Sequence, residues 1–222
     1  MTNQIPQITY IYTDGSVINN GKQYAIGGYG VFFGDNDPKN ISKPFTIYPI
    51  TTPRTELYAV LQGILTFIRS KGRDFFLTED FIPEEIHIYS DSSYVVNIFD
   101  KWLYGWKRNG WKNKRGNSVL NKELISQIDE YMNAILPQVK IKIFHLNSHR
   151  RAPRDKNSMD YQHWYGNDKA DLLATRGRNV SVQDKRNKHK SDIIQNNIQK
   201  QIQKELEYNK KNKNIEDFLN IS

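Results

Sequence analysis

Four carboxylates stand in local settings that suit oxygen-ligand metal chemistry. Asp14 ends the run Ile8-Thr9-Tyr10-Ile11-Tyr12-Thr13 and precedes Gly15-Ser16. Glu56 lies at the start of a helical pattern, Arg54-Thr55-Glu56-Leu57-Tyr58-Ala59-Val60-Leu61. Asp91 ends a second strand-like run, Ile86-His87-Ile88-Tyr89-Ser90. Asp171 sits in Gly166-Asn167-Asp168-Lys169-Ala170-Asp171-Leu172-Leu173-Ala174. Acids that converge at strand ends repel one another, since each negative charge opposes ionisation of the next. Mg²⁺, with Mn²⁺ as a substitute, takes oxygen ligands and relieves that repulsion. Two such ions about 3.5–4 Å apart can clamp both the attacking and the leaving oxygen of a phosphodiester. Singly, each acid reads as well as a solvated loop or helix carboxylate. Asp168 is the rival of Asp171, three residues earlier and suited to the start of a helix.

The elements that must position these acids can be read from periodicity. Residues 7–13 alternate and are β-branched, 24–33 and 44–48 read as two further strands, and the three suggest an antiparallel meander. Pro53 suits a helix start, and apolar residues at 57, 60, 61, 64, 65 and 68 continue a helix. After a polar connection over 70–84 come a strand at 86–90, then a helix capped by Ser92 or Ser93 that carries Val95, Val96, Ile98 and Phe99. A helix over 118–135 and a fifth strand over 139–144 follow. A long loop over 145–165 precedes a last helix from Asn167 or Asp168 to about Arg176. Strands that form a meander and then alternate with helices predict an α/β fold with a five-stranded mixed sheet, meander plus parallel strands, flanked by helices.

Composition narrows the function classes. The chain has 222 residues, is 37% hydrophobic and carries a formal charge of +8, with a pI near 9.4. A basic balance fits a polyanionic partner, nucleic acid or an anionic membrane. Cys is absent, which excludes a disulfide scaffold, a thiolate metal site and a Cys nucleophile. No apolar run approaches the ~18 residues of a membrane span, and the polar opening Met1-Thr2-Asn3-Gln4 lacks a signal peptide's character, so an intracellular monomer is the expectation. Residues 1–6 read as a leader, 7–178 as the folded domain and 179–222 as a tail rich in Lys, Asn and Gln. Over 181–222 nine Lys and Arg face six Asp and Glu. Ile194, Ile198, Ile202 and Leu206 fall at i+4 steps there, as an amphipathic helix would have them.

The ordered motifs Tyr12-Thr13-Asp14-Gly15-Ser16, Gly27-Gly28-Tyr29-Gly30, Arg54-Thr55-Glu56-Leu57-Tyr58-Ala59, Tyr89-Ser90-Asp91-Ser92 and Gly166-Asn167-Asp168-Lys169-Ala170-Asp171 resemble the ribonuclease H type 1 pattern over roughly residues 6–178. The segment Trp102-Leu103-Tyr104-Gly105-Trp106-Lys107-Arg108-Asn109-Gly110-Trp111-Lys112 resembles that family's basic substrate-binding protrusion. The resemblance implies a ribonuclease H-like fold and metal-dependent endonucleolytic hydrolysis of the RNA strand of RNA–DNA hybrids, leaving 5′-phosphate and 3′-hydroxyl ends. It also implies Asp14 as the ligand shared between two ions, Glu56 and Asp91 completing one site, and Asp171 helping to hold the ion that activates water. His149, just past the fifth strand, would assist proton transfer or product departure, a task the imidazole pKa suits. Ser148 stands where the family has Gly, and His145 and His163 compete for the role.

Substrate contacts are expected from Trp102, Trp106, Lys107, Arg108, Trp111, Lys112 and Lys114, cations for phosphates and aromatic faces for sugars or bases. The resemblance implies that this segment grips the DNA strand. Thr51 and Asn121 match positions that line a phosphate pocket in relatives, with Pro49 near the place of its basic member. The loop cations Arg150, Arg151, Arg154 and Lys156 are further candidates for phosphate contact. Relatives carry two amides before Arg-Xaa-Glu that read 2′-hydroxyls; this chain has Thr52-Pro53, so RNA recognition rests on Thr52 and on the loop after Asp14 or is looser. Gly27-Gly28-Tyr29-Gly30 precedes a strand rather than a helix and is no phosphate cradle. Two alternatives stay open: a related nuclease acting on double-stranded RNA or DNA, and a hybrid-binding module without catalysis. A membrane-surface role of the tail is the third, and its small net charge opposes it.

Overall fold

The computed structural model describes residues 6–72, 75, 84–135, 138–148 and 150–219, with side chains through residue 200, apart from 189 and 197, and at 203. The connection expected over 70–84 falls largely outside them. Five strands form one sheet: β1 (Gln7–Ile18), β2 (Ile26–Phe32), β3 (Ile41–Phe45), β4 (Glu84–Ser90) and β5 (Val139–His145), in the order β3-β2-β1-β4-β5. The β1–β2 and β2–β3 pairs are antiparallel, and the β1–β4 and β4–β5 pairs parallel. Antiparallel neighbours need only short loops, whereas parallel neighbours need crossovers. α1 (Thr52–Lys71) lies on the first crossover. α2 (Ser93–Asn97), a π-helical turn (Ile98–Trp102), α3 (Leu103–Arg108) and α4 (Lys122–Ala134) lie on the second. The expected mixed sheet is the one observed.

Strand alternation sends successive side chains to opposite faces, so the sheet has two cores. Ile11, Val31, Ile86 and Ile88 pack with Leu57, Val60, Leu61, Ile64 and Phe67 of α1 and with Leu124, Ile125 and Ile128 of α4. On the other face Tyr12, Phe32 and Tyr89 meet Ala170 and Leu173 of α5 (Met159–Leu219).

Two expectations are corrected. The third strand is Ile41–Phe45 rather than 44–48, with Pro44 tolerated because β3 is an edge strand. The last helix begins at Met159, not at 167, and continues as helix to Leu219, beyond the expected end near Arg176. The chain forms two compact units, Met1–Ser181 and Val182–Ser222. In the second unit α5 is a polar helix with Ile193, Ile194 and Ile198 exposed. Among the described residues no helix is long and apolar enough to cross a membrane.

Candidate active site

Strand register places two of the four acids. β1 and β4 pair in parallel as far as Thr13↔Ser90, and Asp14 and Asp91 come one step later on each strand. Asp91 thus follows the end of β4, whereas Asp14 lies inside β1, which runs on past the expected strand end to Ile18 because it stays paired with β2. Close backbone approaches bring the other two. A Cβ on Gly15 would lie 2.6 Å from the Glu56 amide nitrogen, so glycine here is what lets the start of α1 press against β1. A Cβ on Gly28 would lie 1.9 Å from the Arg178 nitrogen, and one on Gly30 2.3 Å from the Ala170 carbonyl oxygen. The backbone of α5 thus rests directly on β2, and Asp171 is the residue after Ala170. Gly27-Gly28-Tyr29-Gly30 is a seat for a helix.

The four acids feel one another. Asp14 is 8% exposed, and burial first, then the charges of Asp91, Asp171 and Glu56, push its carboxyl up to about 8 against the amide of Gly15, which lowers it. Burial also raises Glu56, to about 7, with Asp91 adding to the rise; a hydrogen bond from the Ser92 hydroxyl opposes it. Ser92 was read only as a helix cap. Its oxygen does accept from the Val95 amide at 3.4 Å, and its proton goes to Glu56. The sequence holds no pairwise signal for that second role.

Asp91 and Asp171 line one cleft of about 200 Å³ together with Asp168, Asn167, Arg150 and Trp164. The rival Asp168 is therefore beside Asp171 on the cleft wall. Among the described residues no three acidic or His side chains close into a ligand cluster. The donor set is all oxygen and short of positive charge. That fits Mg²⁺, which is held by one or two carboxylates and completes its shell with water and substrate phosphate.

His149 lies outside the described residues. Its two competitors each have partners of their own. His145 Nε2 is 3.1 Å from the Asp91 carbonyl oxygen, which can only accept, so that nitrogen carries the proton. His163 lies tilted against Tyr89 with centroids 4.2 Å apart, its Nδ1 3.0 Å from the Tyr12 hydroxyl. Burial lowers its pKa.

The basic aromatic segment divides over two flanks of α3. One groove is lined by Trp102, Trp106, Asn113, Lys114 and Arg115. A second is lined by Phe99, Leu103, Tyr104, Lys107, Arg108 and Asp129. Lys107 is tied to Asp129 at 2.6 Å, and Arg108 lies over the Tyr104 ring. Trp102 is 38% exposed. Trp106 and Trp111 pack partly on the core, and Lys122 covers the Trp111 ring. Lys112 is exposed. Sequence reasoning had taken the segment as one surface.

Thr51 precedes α1 and its carbonyl accepts from the Thr55 amide and hydroxyl. Asn121 precedes α4 in a left-handed conformation, its amide donating to the Tyr94 hydroxyl at 3.2 Å. Buried Arg54 joins these two helix starts, donating to Asn121 at 3.4 Å and forming an ion pair with Glu123. Arg54, not a residue near Pro49, is the cation next to Asn121. Sequence reading missed it because its partners lie some 70 residues away. The Thr52 amide donates to Asn20 Oδ1 at 3.0 Å, fastening the loop after β1 to the start of α1.

A five-stranded 3-2-1-4-5 sheet with acids on β1, just after β4, on α1 and on α5 defines a ribonuclease H-like fold. The RNase H family model matches residues 6–179, and the chain belongs to the ribonuclease H family, type 1. It is 34% identical over 167 residues to the ribonuclease H of Schizosaccharomyces pombe, covering 75% of this chain and 52% of that one. To ribonuclease H1 of Mus musculus it is 28% identical over 171 residues, 77% and 50% of the two chains. To a Clostridium botulinum ribonuclease H it is 35% identical over 142 residues, 63% and 82% of the chains. The chain thus spans about half the length of the first two relatives. Among solved structures, the RNase H domain of prototype foamy virus superposes with a TM-score of 0.51 at 24% identity, over 78% of this chain and 94% of that one. The foamy viral protease–reverse transcriptase in complex with an RNA/DNA hybrid gives 0.55 at 20% identity, over 80% and 22%. These two likenesses concern the fold.

Proposed function

We propose that this chain is a divalent-metal-dependent endonuclease that hydrolyses the RNA strand of RNA–DNA hybrids, acting as a monomer and leaving 5′-phosphate and 3′-hydroxyl ends. The observation that carries it is the buried Asp14 carboxyl, pushed up to about 8 by burial and three neighbouring acids. A group so unfavourably placed as a carboxylate gains most from a cation. Asp14, Glu56, Asp91 and Asp171 would hold two Mg²⁺ ions, with Mn²⁺ as a substitute. Such ions supply an activated water and neutralise charge on the leaving oxygen.

The residues do the rest. Asp14 and Glu56 must release protons before they serve as ligands, so the site is favoured above neutral pH. The Ser92 hydroxyl donates to the Glu56 carboxyl and offsets part of the rise that burial causes. The groove of Trp102, Trp106, Lys114 and Arg115 binds the DNA strand by ring contact and phosphate pairing. His149 exchanges a proton at the departing product.

A second reading has one observation in its favour. Thr52 offers a hydroxyl and Pro53 no side-chain donor where relatives carry side-chain amides. Looser 2′-hydroxyl reading would let double-stranded RNA or DNA be cut. The test is cleavage of a strand-labelled hybrid in Mg²⁺ beside double-stranded RNA, double-stranded DNA and single-stranded RNA, with Asp14→Asn as control. Hybrid-only cleavage of RNA, lost in the variant, supports the first reading. Cleavage of the other duplexes supports the second. Hybrid binding without cleavage in Mg²⁺ or Mn²⁺ refutes both.

A further inference from the structure

The cleft holding Asp91, Asp168 and Asp171 also holds an arginine. Four basic residues lie between β5 and α5, namely Arg150, Arg151, Arg154 and Lys156. Arg151, Arg154 and Lys156 are exposed, and Arg150 alone of the four lines this cleft. It is held there from two directions. Its guanidinium pairs with the Asp160 carboxylate at 2.7 Å and donates to the Asp160 carbonyl at 3.1 Å. Its own carbonyl accepts from Trp164 Nε1 at 3.2 Å, and Trp164 lines the same cleft. Asp160 and Trp164 both belong to the first turns of α5, the helix that carries Asp171. Arg150 is thus fixed to the same rigid element as one of the acids.

That fixation has a chemical consequence. A guanidinium carries five N–H donors in a planar fork. Two are placed by Asp160, which sets the plane of the fork and leaves donors for an anion. A flexible lysine would lose more rotamer freedom on binding a phosphate than an arginine already oriented in this way. A nucleic-acid backbone entering the cleft meets the carboxylates of Asp91, Asp168 and Asp171, and Arg150 is where the wall offers positive charge.

We infer that Arg150 is a phosphate-binding residue of this cleft, taking a backbone phosphate of the strand that lies against Asp91 and Asp171, with Asp160 and Trp164 as its positioning residues. The inference rests on the nuclease reading above. A purely structural alternative has Arg150 only tying the β5–α5 loop to the helix. The two differ in what salt does, because each phosphate contact adds about one to the salt slope of binding.

The experiment uses the full chain and a labelled RNA–DNA hybrid in Mg²⁺, with kcat and KM measured over a series of KCl concentrations. Arg150→Ala is expected to raise KM about tenfold, the size of one charge-assisted hydrogen-bonded contact. It should also flatten the slope of log kcat/KM against log salt by about one, with kcat within about twofold. Arg150→Lys restores the slope but only part of KM. Asp160→Asn leaves the slope unchanged and raises KM less than Arg150→Ala does. Equal losses in Arg150→Ala and Asp160→Asn, confined to kcat and with an unchanged slope, overturn the inference and leave a loop tether. A wild-type chain that cuts no hybrid overturns the nuclease reading itself, and is distinguishable because it precedes any variant.

Discussion

Replacing Asp14 with Asn should stabilise the metal-free protein, and by an amount that depends on pH. In the unfolded chain the Asp14 carboxyl loses its proton near its ordinary value of 3.8, while in the folded chain it holds it to about 8. Between those values the folded state binds the extra proton, so stability falls as pH rises through the window, and the whole penalty is in place above pH 8. About four pH units at 1.36 kcal/mol each set a ceiling of about 5–6 kcal/mol. Side-chain rotation and water entry lower the effective cost of burying a charge, so about half of that, ~2–3 kcal/mol, is the expected gain. For a folded unit of this size that is a rise in Tm of roughly 4–12 °C. The assay is thermal melting of wild type and Asp14→Asn in chelator at pH 8.5 and pH 5. The variant should melt higher at pH 8.5, and the gap should shrink to about a third of that at pH 5, which lies only about one pH unit above the unfolded carboxyl's 3.8. Adding Mg²⁺ at pH 8.5 should raise the wild-type Tm by mass action and leave the variant nearly unmoved. A difference that is the same at both pH values, or a variant that melts lower at pH 8.5, refutes the placing of Asp14 among repelling acids.

Four further outcomes are expected. Gly30→Ala puts a Cβ 2.3 Å from the Ala170 carbonyl oxygen, so it should cost about 3 kcal/mol and depress cleavage by displacing Asp171, whereas Gly34→Ala, with open space around it, should do neither in the same melting and turnover assays. Ser92→Ala removes the hydrogen bond that opposes the rise of Glu56; the Mg²⁺ concentration for half-maximal rate should rise several-fold at pH 7 and the gap should close by pH 9, with Ser92→Thr near wild type. Trp102→Ala should weaken hybrid binding by about 1–2 kcal/mol in a titration, and Lys114→Ala should reduce the salt slope by about one, while Lys107→Ala, already paired with Asp129, should do little. A chain ending at Ser181 should keep its Tm within about 2 °C and its cleavage rate, since Met1–Ser181 forms a compact unit by itself.

How much of this was legible depends on the range of the interactions concerned. Asp14 and Asp91 announce themselves because alternation and β-branching mark the strand that carries the first and the strand that the second follows, and both signals are local. Glu56 is legible for the same reason, being placed by Pro53 and the helical spacing after it. The start of α5 is the instructive failure. Residues 159–165 read as loop because they are aromatic-rich and run into Gly166, a poor helix former. In the fold, His163 and Tyr165 face Tyr12 and Phe32, and a Cβ on Gly166 would lie 2.4 Å from the Tyr12 ring. The helix is there because the sheet's aromatic face accepts those rings, and Gly166 is there because that ring takes its space.

The same logic explains why the acids were readable and their electrostatics were not. A carboxylate at a strand end is a property of some ten residues of sequence. The rise of Asp14 to about 8 is a property of three distant acids, two glycine-mediated backbone approaches and burial acting together. Arg54 with Glu123 and Arg150 with Asp160 are likewise pairs that the chain brings together only when α1 meets α4 and when the β5–α5 loop folds onto its own helix. What a sequence lacks is the partner of each charge, and at this site the partner decides the chemistry. Asp168 and Asp171 line one cleft from the same helix, yet Asp171 is the one of the two that acts on Asp14. The glycines at 28 and 30 let the α5 backbone rest directly on β2, at Arg178 and at Ala170, the residue before Asp171.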